Sequence, residues 1–319
     1  MLVTGGAGFI GSSLIDSLLL DKENYILSID NYDDFYDIAI KKSNQKNHFE
    51  NPNFRFIQTD IRKINDIKLD KEIDCIIHLA AKAGVRPSIE DAHEYFDTNI
   101  NGTLAMLEFA KKNKIQQFIF ASSSSVYGIN QNIPWSENET DMLPISPYAS
   151  SKLAAEKIGF TYSYLYNIRF IALRFFTVYG PKQRPDLAIQ KFFNKILNNQ
   201  PIEMYGSGNT FRDYTYIDDI IQGIIGAINY NRTMYEVINL GNNTTINLEE
   251  LIYQIGKVTQ LSPKIIQAEY QVGDVPKTYA NIEKGKKILN YNPKIEIHEG
   301  LMKQYEWIKK IKDVTKDNS

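Results

Sequence analysis

A run of glycines directly after a very short apolar segment constrains this chain more than any other feature. Leu2-Val3-Thr4 is followed by Gly5, Gly8 and Gly11, and then by an amphipathic pattern over about residues 9–21. Glycines at this spacing let backbone N–H groups approach a phosphate at a helix N-terminus, where the helix dipole favours negative charge. The sequence therefore predicts a strand, a tight turn and a helix whose first turn, with Phe9 and Ile10, lies against a diphosphate.

Short apolar runs alternate with helical patterns through the first half of the chain. Strands are predicted over residues 25–30, 54–57, 75–79, 117–121 and 169–174, with helices over 93–113 and after Pro147. Continuous apolar runs are typical of strands buried on both faces, and β-α-β alternation indicates a parallel sheet. We predict an α/β fold: a doubly wound parallel sheet over residues 1–176, to which later segments return, and a smaller C-terminal α/β domain over 177–319 that mainly binds substrate.

The bulk composition excludes several classes of function. Among 319 residues, 36 are Lys or Arg and 38 are Asp or Glu, so no basic field favours nucleic acid or a membrane surface. The chain has one cysteine, Cys75, which fits a reducing compartment. No apolar run approaches 18 residues, and the N-terminus lacks the basic segment of a signal peptide. We expect a cytoplasmic protein with no bound metal and no nucleic-acid or membrane partner.

A carboxylate at the end of the second predicted strand indicates which of the two nicotinamide dinucleotides, NAD or NADP, would bind. Asp30, followed by Asn31, lies about twenty residues beyond the glycine turn, where it can hydrogen-bond the ribose hydroxyls. This carboxylate would repel a 2′-phosphate, and no arginine adjoins it, so NAD is predicted rather than NADP. The alternative is a tight turn with a surface aspartate that caps a loop.

Two further strand ends are candidates for cofactor contacts. Asp60 and Ile61 follow a strand and suit an adenine contact, although an ordinary loop aspartate is an equal alternative. Leu79, Ala80 and Ala81 end another strand with small side chains that would let a cofactor come close, and a tight turn is the alternative there.

Tyr148 and Lys152 are the predicted reactive pair. Residues four apart on a helix lie on one face, with Cβ atoms about 5–6 Å apart. A fixed ammonium there stabilises a phenolate and makes tyrosine a usable base near neutral pH. A serine run from Ser122 to Ser125 lies about 25 residues upstream. With the glycine turn, these residues predict a nicotinamide enzyme that moves a proton and a hydride; a polar loop and a core tyrosine are the alternatives.

These motifs resemble the extended short-chain dehydrogenase/reductases, and specifically their NAD-dependent nucleotide-sugar epimerases and dehydratases. The matching runs span most of the chain in the expected order: residues 3–11, 78–81, 99–103, 122–128, 147–152 and 212–214. The runs at 83–86, 174–181, 184–186 and 272–280 look most like the UDP-glucuronate 4-epimerases.

The resemblance implies a redox-neutral inversion of the sugar carbon C4 with tightly bound NAD, most like UDP-glucuronate to UDP-galacturonate. Tyr148 is implied as the base, Lys152 as the group that lowers its pKa and binds the nicotinamide ribose, and Ser123 as a hydrogen-bond donor to the 4-oxygen. Asn99 is implied as a further cofactor residue. A homodimer formed through the helices over 93–113 and 147–166 is also implied.

The resemblance also implies contacts to a UDP-sugar. Arg212 matches a diphosphate ligand and Tyr205 a ring that stacks on uracil, while Arg86 and Arg184 are candidates for a sugar carboxylate. Gln271, just before the Gly273-Asp274 pair, stands where some relatives carry a second phosphate-binding arginine. The implied substrate residues are Arg86, Ser124, Ser125, Thr177, Arg184, Tyr205, Arg212, Gln271 and Asp274.

Three other functions compete with this one. A UDP-glucose or UDP-N-acetylglucosamine 4-epimerase stays open because residues 204–208 resemble the more general epimerase pattern. Relatives that eliminate water, such as 4,6-dehydratases, carry acidic residues in the segment equivalent to Ser123-Ser124-Ser125, whereas here all three side chains are hydroxyls. A non-catalytic NAD-binding regulator would be expected to lose a member of the serine, tyrosine and lysine set.

Overall fold

Strands and helices alternate along most of the chain. The structure, a computed structural model, describes residues 1–269 and 275–317. In these residues the strands are β1 (Leu2–Thr4), β2 (Ile26–Asp30), β3 (Phe54–Gln58), β4 (Cys75–His78), β5 (Gln117–Ser123), β6 (Arg169–Phe175), β7 (Thr177–Tyr179), β8 (Ile202–Tyr205), β9 (Phe211–Arg212), β10 (Tyr214–Tyr216), β11 (Tyr235–Leu240), β12 (Ile246–Asn247) and β13 (Ile265–Ala268). The helices are α1 (Phe9–Leu18), α2 (Ile38–Gln45), α3 (Val85–Glu90), α4 (Ala92–Phe96), α5 (Gly102–Lys112), α6 (Pro147–Tyr166), α7 (Ala188–Leu197), α8 (Ile217–Ile228), α9 (Leu248–Thr259), α10 (Glu283–Leu289) and α11 (Ile297–Asp317).

Within the described residues, seven strands form the central sheet in the order β11-β6-β5-β4-β1-β2-β3. Every neighbouring pair in it is parallel. The chain runs outward from β1 to β3, returns to β4 on the other side of β1, and then runs outward in the opposite direction. The predicted doubly wound α/β fold is therefore confirmed. Because the loops after β1 and β4 diverge, a crevice opens between them at the carboxyl edge of the sheet.

Each face of the central sheet buries its own hydrophobic core. Leu2, Phe118 and Phe170 lie on one face, whereas their chain neighbours Val3 and Ile119 belong to the core of the other face. This alternation follows from the two-residue period of a strand, and with both faces covered it accounts for the uninterrupted apolar runs.

Helix α6 packs closely on β5 and β6. Ser146 caps its N-terminus by accepting a hydrogen bond of 3.2 Å from the N–H of Ala149, and Pro147 begins the helix. Further along, a Cβ on Gly159 would lie 2.1 Å from the ring of Phe170 in β6. The absence of that atom lets the helix approach the sheet, which sets the height of the Tyr148 and Lys152 side chains above it.

The helix predicted over residues 93–113 is interrupted. It consists of α4, a π-helical turn (Asp97–Asn101) and α5. In the wide turn, the Asn99 side-chain amide donates to the carbonyl of Lys82 (3.0 Å) and to the Ser151 hydroxyl (2.9 Å), and its oxygen accepts from the N–H of Lys82 (2.9 Å). These bonds tie the loop after β4 to α6 and give a physical reason for the local change of helix type.

The second half of the chain contributes to the central sheet and also builds a separate layer. Strand β11 pairs with β6, and α8 packs on β5 and β6. The other strands form pairs: β7 with β10, β8 with β13 and β9 with β12. The division into domains at residue 176 stays a prediction. In the part of the chain that the structure describes, no helix is both long and apolar enough to cross a bilayer.

Asp213, between β9 and β10, joins several segments of the second half. Its carboxylate is fully buried and accepts backbone hydrogen bonds from Asn242 (2.7 Å), Asn243 (3.1 Å) and Ala280 (3.2 Å), and one from the Thr215 hydroxyl (3.2 Å). Burial raises the pKa of Asp213 to about 6, against the effect of these donors, so the group is ionised at neutral pH. Arg212, the predicted diphosphate ligand, directly precedes it and therefore depends on this junction for its position.

We expect Asp213→Asn to destabilise the fold. Each carboxylate oxygen accepts two donors, and of the four only the Thr215 hydroxyl can turn to accept, so an amide in either orientation leaves at least one backbone N–H without an acceptor. One such group costs about 1–3 kcal/mol, so the free energy of unfolding should fall by roughly that amount. Urea unfolding measures this, with Thr215→Val as the control, since it removes only one of the four bonds. Equal stability of Asp213→Asn and the unmodified protein would contradict the assignment.

Candidate active site

The turn after β1 forms the floor of the site. Gly5 has a φ of 71° and donates its N–H to Ile29 (2.8 Å), and the N–H of Gly8 is bonded to the carbonyl of Gly5 (3.1 Å). A Cβ on Gly11 would lie 2.2 Å from that same carbonyl. Only glycine permits this close packing of α1 on the turn. The first turn of the ten-residue α1 therefore points at the crevice, as an anion site requires.

Asp30 ends β2 beside this turn. Its buried carboxylate accepts hydrogen bonds from the N–H groups of Ala7 (3.1 Å) and Tyr32 (2.8 Å). Burial raises the pKa of Asp30, while the ammonium of Lys41 and the two N–H groups act to lower it. The carboxylate is thus held at one edge of the crevice, in the position from which it can accept ribose hydroxyls.

The ends of β3 and β4 complete the cofactor side. Asp60 is paired with Arg62, whose Nη2 lies 2.6 Å from its carboxylate, and Ile61 is buried. After β4, the N–H of Ala80 donates to the hydroxyl of Thr4 (3.1 Å). This bond brings the Leu79–Ala81 segment against the glycine turn.

The serine run leaves the sheet at the end of β5. Ser123 is buried in the last position of the strand, and Ser124 begins a 3₁₀ turn (Ser124–Tyr127). The Ser123 hydroxyl accepts a hydrogen bond from the N–H of Ser125 and donates to its hydroxyl, each at 3.1 Å. The 3₁₀ turn therefore keeps all three hydroxyls at the same end of the crevice.

Tyr148 and Lys152 reach this end from α6. Burial raises the pKa of Tyr148, while a hydrogen bond with Ser123 and the guanidinium of Arg184 act to lower it. The ammonium of Lys152 is buried and donates to the carbonyl of Ala121 (2.8 Å). Burial lowers the pKa of Lys152 to about 7. Ser123, Tyr148 and Lys152 thus form one cluster, in which the surroundings shift the pKa values of the tyrosine and the lysine.

One cavity of about 580 Å³ gathers most of the predicted site. The predicted residues that line it are Gly5, Gly8, Phe9, Ile10, Gly11, Asp30, Asn31, Asp60, Ile61, Leu79, Ala80, Ala81, Ser123, Ser124, Ser125, Tyr148, Lys152, Thr177, Arg184 and Arg212. The cavity therefore runs from the glycine turn, past the serine, tyrosine and lysine cluster, to residues of the second half.

Five predicted residues are not part of this lining. Asn99 is buried and bonds to the backbone of Lys82, which itself lines the cavity. Arg86 and Tyr205 lie against each other, with the guanidinium 5.1 Å from the centre of the phenol ring. Gln271 and Asp274 lie outside the described residues.

Several lining residues were not predicted from the sequence. Phe35 and Tyr36 line the cavity near Asp30, and Lys41 and Lys82 add positive charge to it. Lys41 donates to the carbonyl of Asp33 (2.7 Å), and Lys82 is paired with the Asp33 carboxylate at 2.8 Å. Lys82 directly follows the predicted contact at Ala81, so a search for cations next to that run would have found it. Lys41, on α2, has no comparable signal.

The donor set fits the predicted dinucleotide. The glycine cradle, which a Cβ would fill, exposes a helix N-terminus to phosphate, and the adjoining cavity wall carries Lys41 and Lys82. The Asp30 carboxylate suits a ribose diol, and Lys152 and Tyr148 lie at the other end of the same cavity. Among the described residues, no group of histidine, cysteine, aspartate and glutamate side chains could hold a metal ion.

Comparison with known proteins places the chain in a family. The family model described as GDP-mannose 4,6 dehydratase matches residues 2–304. A UDP-glucuronate 4-epimerase of Thermodesulfobacterium geofontis is 39% identical over 312 residues, which cover 97% of this chain and 95% of that protein.

Solved structures agree in fold and in sequence. The UDP-glucuronic acid 4-epimerase of Bacillus cereus, in complex with UDP-glucuronic acid and NAD, is 35% identical with a TM-score of 0.90, covering 97% of this chain and 99% of that one. A UDP-N-acetylglucosamine 4-epimerase of Methanobrevibacter ruminantium, in complex with UDP-N-acetylmuramic acid, is 30% identical with a TM-score of 0.88, covering 97% and 98%. The chain therefore belongs to the nucleotide-sugar epimerase and dehydratase family of the extended short-chain dehydrogenase/reductases.

Proposed function

We propose that the protein is an NAD-dependent UDP-sugar 4-epimerase that interconverts UDP-glucuronate and UDP-galacturonate. The observation that carries this proposal is the meeting of Ser123, Tyr148 and Lys152 with the glycine turn in one cavity. Two relatives named as 4-epimerases of UDP-glucuronate support it, one of them solved in complex with UDP-glucuronic acid and NAD. When bound, NAD supplies a hydride acceptor that returns the hydride within the same cycle.

The residues of the chain move the proton and hold the sugar. Tyr148, as the phenolate, removes the proton from the 4-hydroxyl and returns it after the sugar has presented its other face. Lys152 stabilises the phenolate and binds the nicotinamide ribose, while Ser123 hydrogen-bonds the 4-oxygen. Asn99 acts indirectly in this scheme, by fixing the loop after β4 that adjoins the cofactor.

The hydroxyl-only segment at the end of β5 favours epimerisation over dehydration. Elimination of water needs a further acid–base group next to C5 and C6. Ser123, Ser124 and Ser125 line the cavity where the eliminating relatives place carboxyl groups. Epimerisation needs only the tyrosine and hydride steps, for which the required side chains are present.

Arg184 is the better of the two candidates for the sugar carboxylate. It lines the cavity, and its charge acts on Tyr148, so it lies near the reacting carbon. Nε and Nη2 of Arg184 donate to the Asp186 carboxylate at 3.0 and 2.8 Å. The Nη1 edge of the planar guanidinium would meet a substrate carboxylate. Thr177 lines the same part of the cavity. Arg86 packs instead on Tyr205, a pairing that suits the uridine end, with Arg212 at the diphosphate.

A UDP-N-acetylglucosamine or UDP-glucose 4-epimerase is the alternative. The structural similarity to the enzyme of Methanobrevibacter ruminantium supports it, as does the general epimerase pattern over residues 204–208. The catalytic residues would be the same, and the pocket around Arg184 would decide between the substrates.

The first test is proton NMR of the purified protein mixed with UDP-glucuronate and no added NAD. We expect UDP-galacturonate to accumulate to equilibrium, because a cofactor that is regenerated in each cycle has no need to exchange. UDP-glucose and UDP-N-acetylglucosamine are run in parallel. Turnover of only a neutral or acetylated sugar would keep the mechanism and reject the glucuronate preference. No turnover of any of the three, with NAD shown to be bound, would reject the epimerase proposal for these sugars.

Arg184→Gln should weaken binding of UDP-glucuronate selectively. Loss of a charge-assisted hydrogen bond removes about 1.5–3 kcal/mol, so the Kd should rise roughly 10- to 100-fold. The Kd of UDP-glucose should change much less, since it has no carboxylate. Calorimetric titration of both ligands measures this, with Arg86→Gln as the matched control, for which no selective loss for UDP-glucuronate is expected. An equal loss for both ligands in Arg184→Gln would assign the carboxylate elsewhere.

We also propose that the protein is cytoplasmic and forms a homodimer. Apolar side chains are exposed on the helices concerned, including Phe96 (38%), Leu104 (38%) and Leu165 (56%). Light scattering should give twice the mass of one chain, and Leu104→Glu should shift the protein towards monomers because it places a charge in the apolar contact. Leu20→Glu, at a position that is 83% exposed outside these helices, is the control. A monomeric mass for the unmodified protein would reject the dimer.

A further inference from the structure

A buried ion pair lies directly behind the reacting residues. Arg174 in β6 donates from Nε and Nη2 to the two carboxylate oxygens of Glu156 at 2.9 and 2.8 Å. Their side chains are 2% and 0% exposed. Replacement of such a pair by apolar residues is often neutral or stabilising, because desolvation offsets the attraction. Net stability alone therefore gives no reason for an ion pair at this position.

Glu156 continues the face of α6 that carries the reacting residues. Tyr148, Lys152 and Glu156 are spaced four residues apart, so they form one row along the helix. The negative charge of Glu156 acts to raise the pKa of Lys152, against the larger effect of burial. The same carboxylate therefore neighbours the ammonium to which the proposed function assigns stabilisation of the Tyr148 phenolate.

Glu156 also connects α6 to the strand that ends in Ser123. The hydroxyl of Ser122 donates to the Glu156 carboxylate at 2.5 Å. Ser122 and Arg174 are directly opposite each other in the pairing of β5 with β6. The Glu156 carboxylate therefore binds both strands at the same register position. A shift of Glu156 would change the position of Ser123 relative to Tyr148 and Lys152 together.

Other charged or titratable groups face this cluster. His78 in β4 lies near Lys152, and burial lowers its pKa to about 3, so it is neutral at working pH. Tyr127 packs its ring on the guanidinium of Arg174, 4.8 Å away, and burial raises the pKa of its phenol to about 12. The hydroxyl of Tyr235 in β11 donates to the Glu156 carbonyl (3.4 Å). Burial raises the pKa of Glu137, and the guanidinium of Arg174 is among the groups that act to lower it. Among the described residues, the charge that acts on Lys152 is therefore that of Glu156, which is itself paired with Arg174.

We propose that Glu156 is a positioning residue for the Tyr148–Lys152 pair. Held by Arg174 and Ser122, its carboxylate fixes α6 against β5 and β6 and places a negative charge on the helix turn beyond Lys152. This inference deepens the proposed function and rests on it for its kinetic readout. The alternative is an ion pair that only attaches the helix to the sheet.

Two substitutions of the same ion pair separate these roles. Glu156→Gln removes the negative charge and leaves the Arg174 guanidinium unbalanced, so Lys152 and Tyr148 should both lose their protons at lower pH. Arg174→Gln leaves the negative charge of Glu156 unbalanced, which disfavours the loss of either proton, so the phenolate should form at the same or a higher pH. An opposite charge within a few ångströms shifts a pKa by about one unit or more, which sets the size of the expected separation.

The measurements do not depend on activity alone. Phenolate formation is followed by absorbance at 295 nm in the NAD-loaded protein, and the same titration of each variant combined with Tyr148→Phe isolates the contribution of Tyr148. The acid limb of the pH profile of kcat should move in the same direction as the phenolate titration. Glu156→Asp and Arg174→Lys keep the charges and should shift the midpoint far less than the glutamine variants, even where they lower stability.

Glu236→Gln is the matched control. Glu236 in β11 pairs with Lys284 of α10 at 2.7 Å, so this variant also breaks an ion pair at the sheet but leaves the reacting residues untouched. It should leave both pH midpoints unchanged. Thermal unfolding of every variant identifies those that fold.

The outcome decides between the two roles. A downward shift in Glu156→Gln that is absent or reversed in Arg174→Gln supports the proposal. If Arg174→Gln does not fold, a downward shift in Glu156→Gln that Glu156→Asp does not show supports it. Lower stability without movement of the midpoints, or equal movement in both glutamine variants, overturns it. Absence of epimerase activity in the unmodified protein would reject the proposed function, while the phenolate titration would still test the role of Glu156.

Discussion

The parallel pairing of β1 with β2 and β4 is the constraint on which the rest of the site depends. Because parallel strands all end at the same edge, the glycine turn, Asp30 and the Leu79–Ala81 segment meet there although they are far apart in sequence. An antiparallel partner in place of either strand would send one of these groups to the opposite edge. Burial on both faces enforces the arrangement, since a one-residue slip of any strand would exchange side chains between the two hydrophobic cores.

The reacting side chains need a second constraint, because Tyr148 and Lys152 come from a helix and not from a strand end. Hydrogen bonds along a helix fix its own geometry but not its height above a sheet. Here that height is set where Gly159 meets Phe170 and where Glu156 meets β6. Contacts in the middle of α6 therefore determine geometry at its N-terminal end, and the length of the helix is part of how the site is built.

Local motifs made much of this structure predictable. The glycine turn and the strand ends carry their geometry in adjacent residues, so the sheet and most cavity residues follow from short stretches of sequence. The interrupted helix around Asn99 does not, because its π-helical turn exists for bonds to Lys82 and Ser151 that only the folded chain brings near. The choice between Arg86 and Arg184 likewise depends on which segment the second half of the chain folds over the cavity.

The charges around Tyr148 connect this architecture to the choice of substrate. The guanidinium of Arg184 acts to lower the pKa of Tyr148, and the proposed function assigns the ammonium of Lys152 the same effect. A sugar carboxylate bound at Arg184 would cancel much of the first contribution at the moment when the base is needed. Ionisation of Tyr148 would then rest on Lys152, whose own burial works against its charge. An epimerase for an acidic sugar therefore needs a compensating negative group beyond the lysine more than one for a neutral sugar does, and the carboxylate of Glu156, one helical turn further along α6, is placed to provide it.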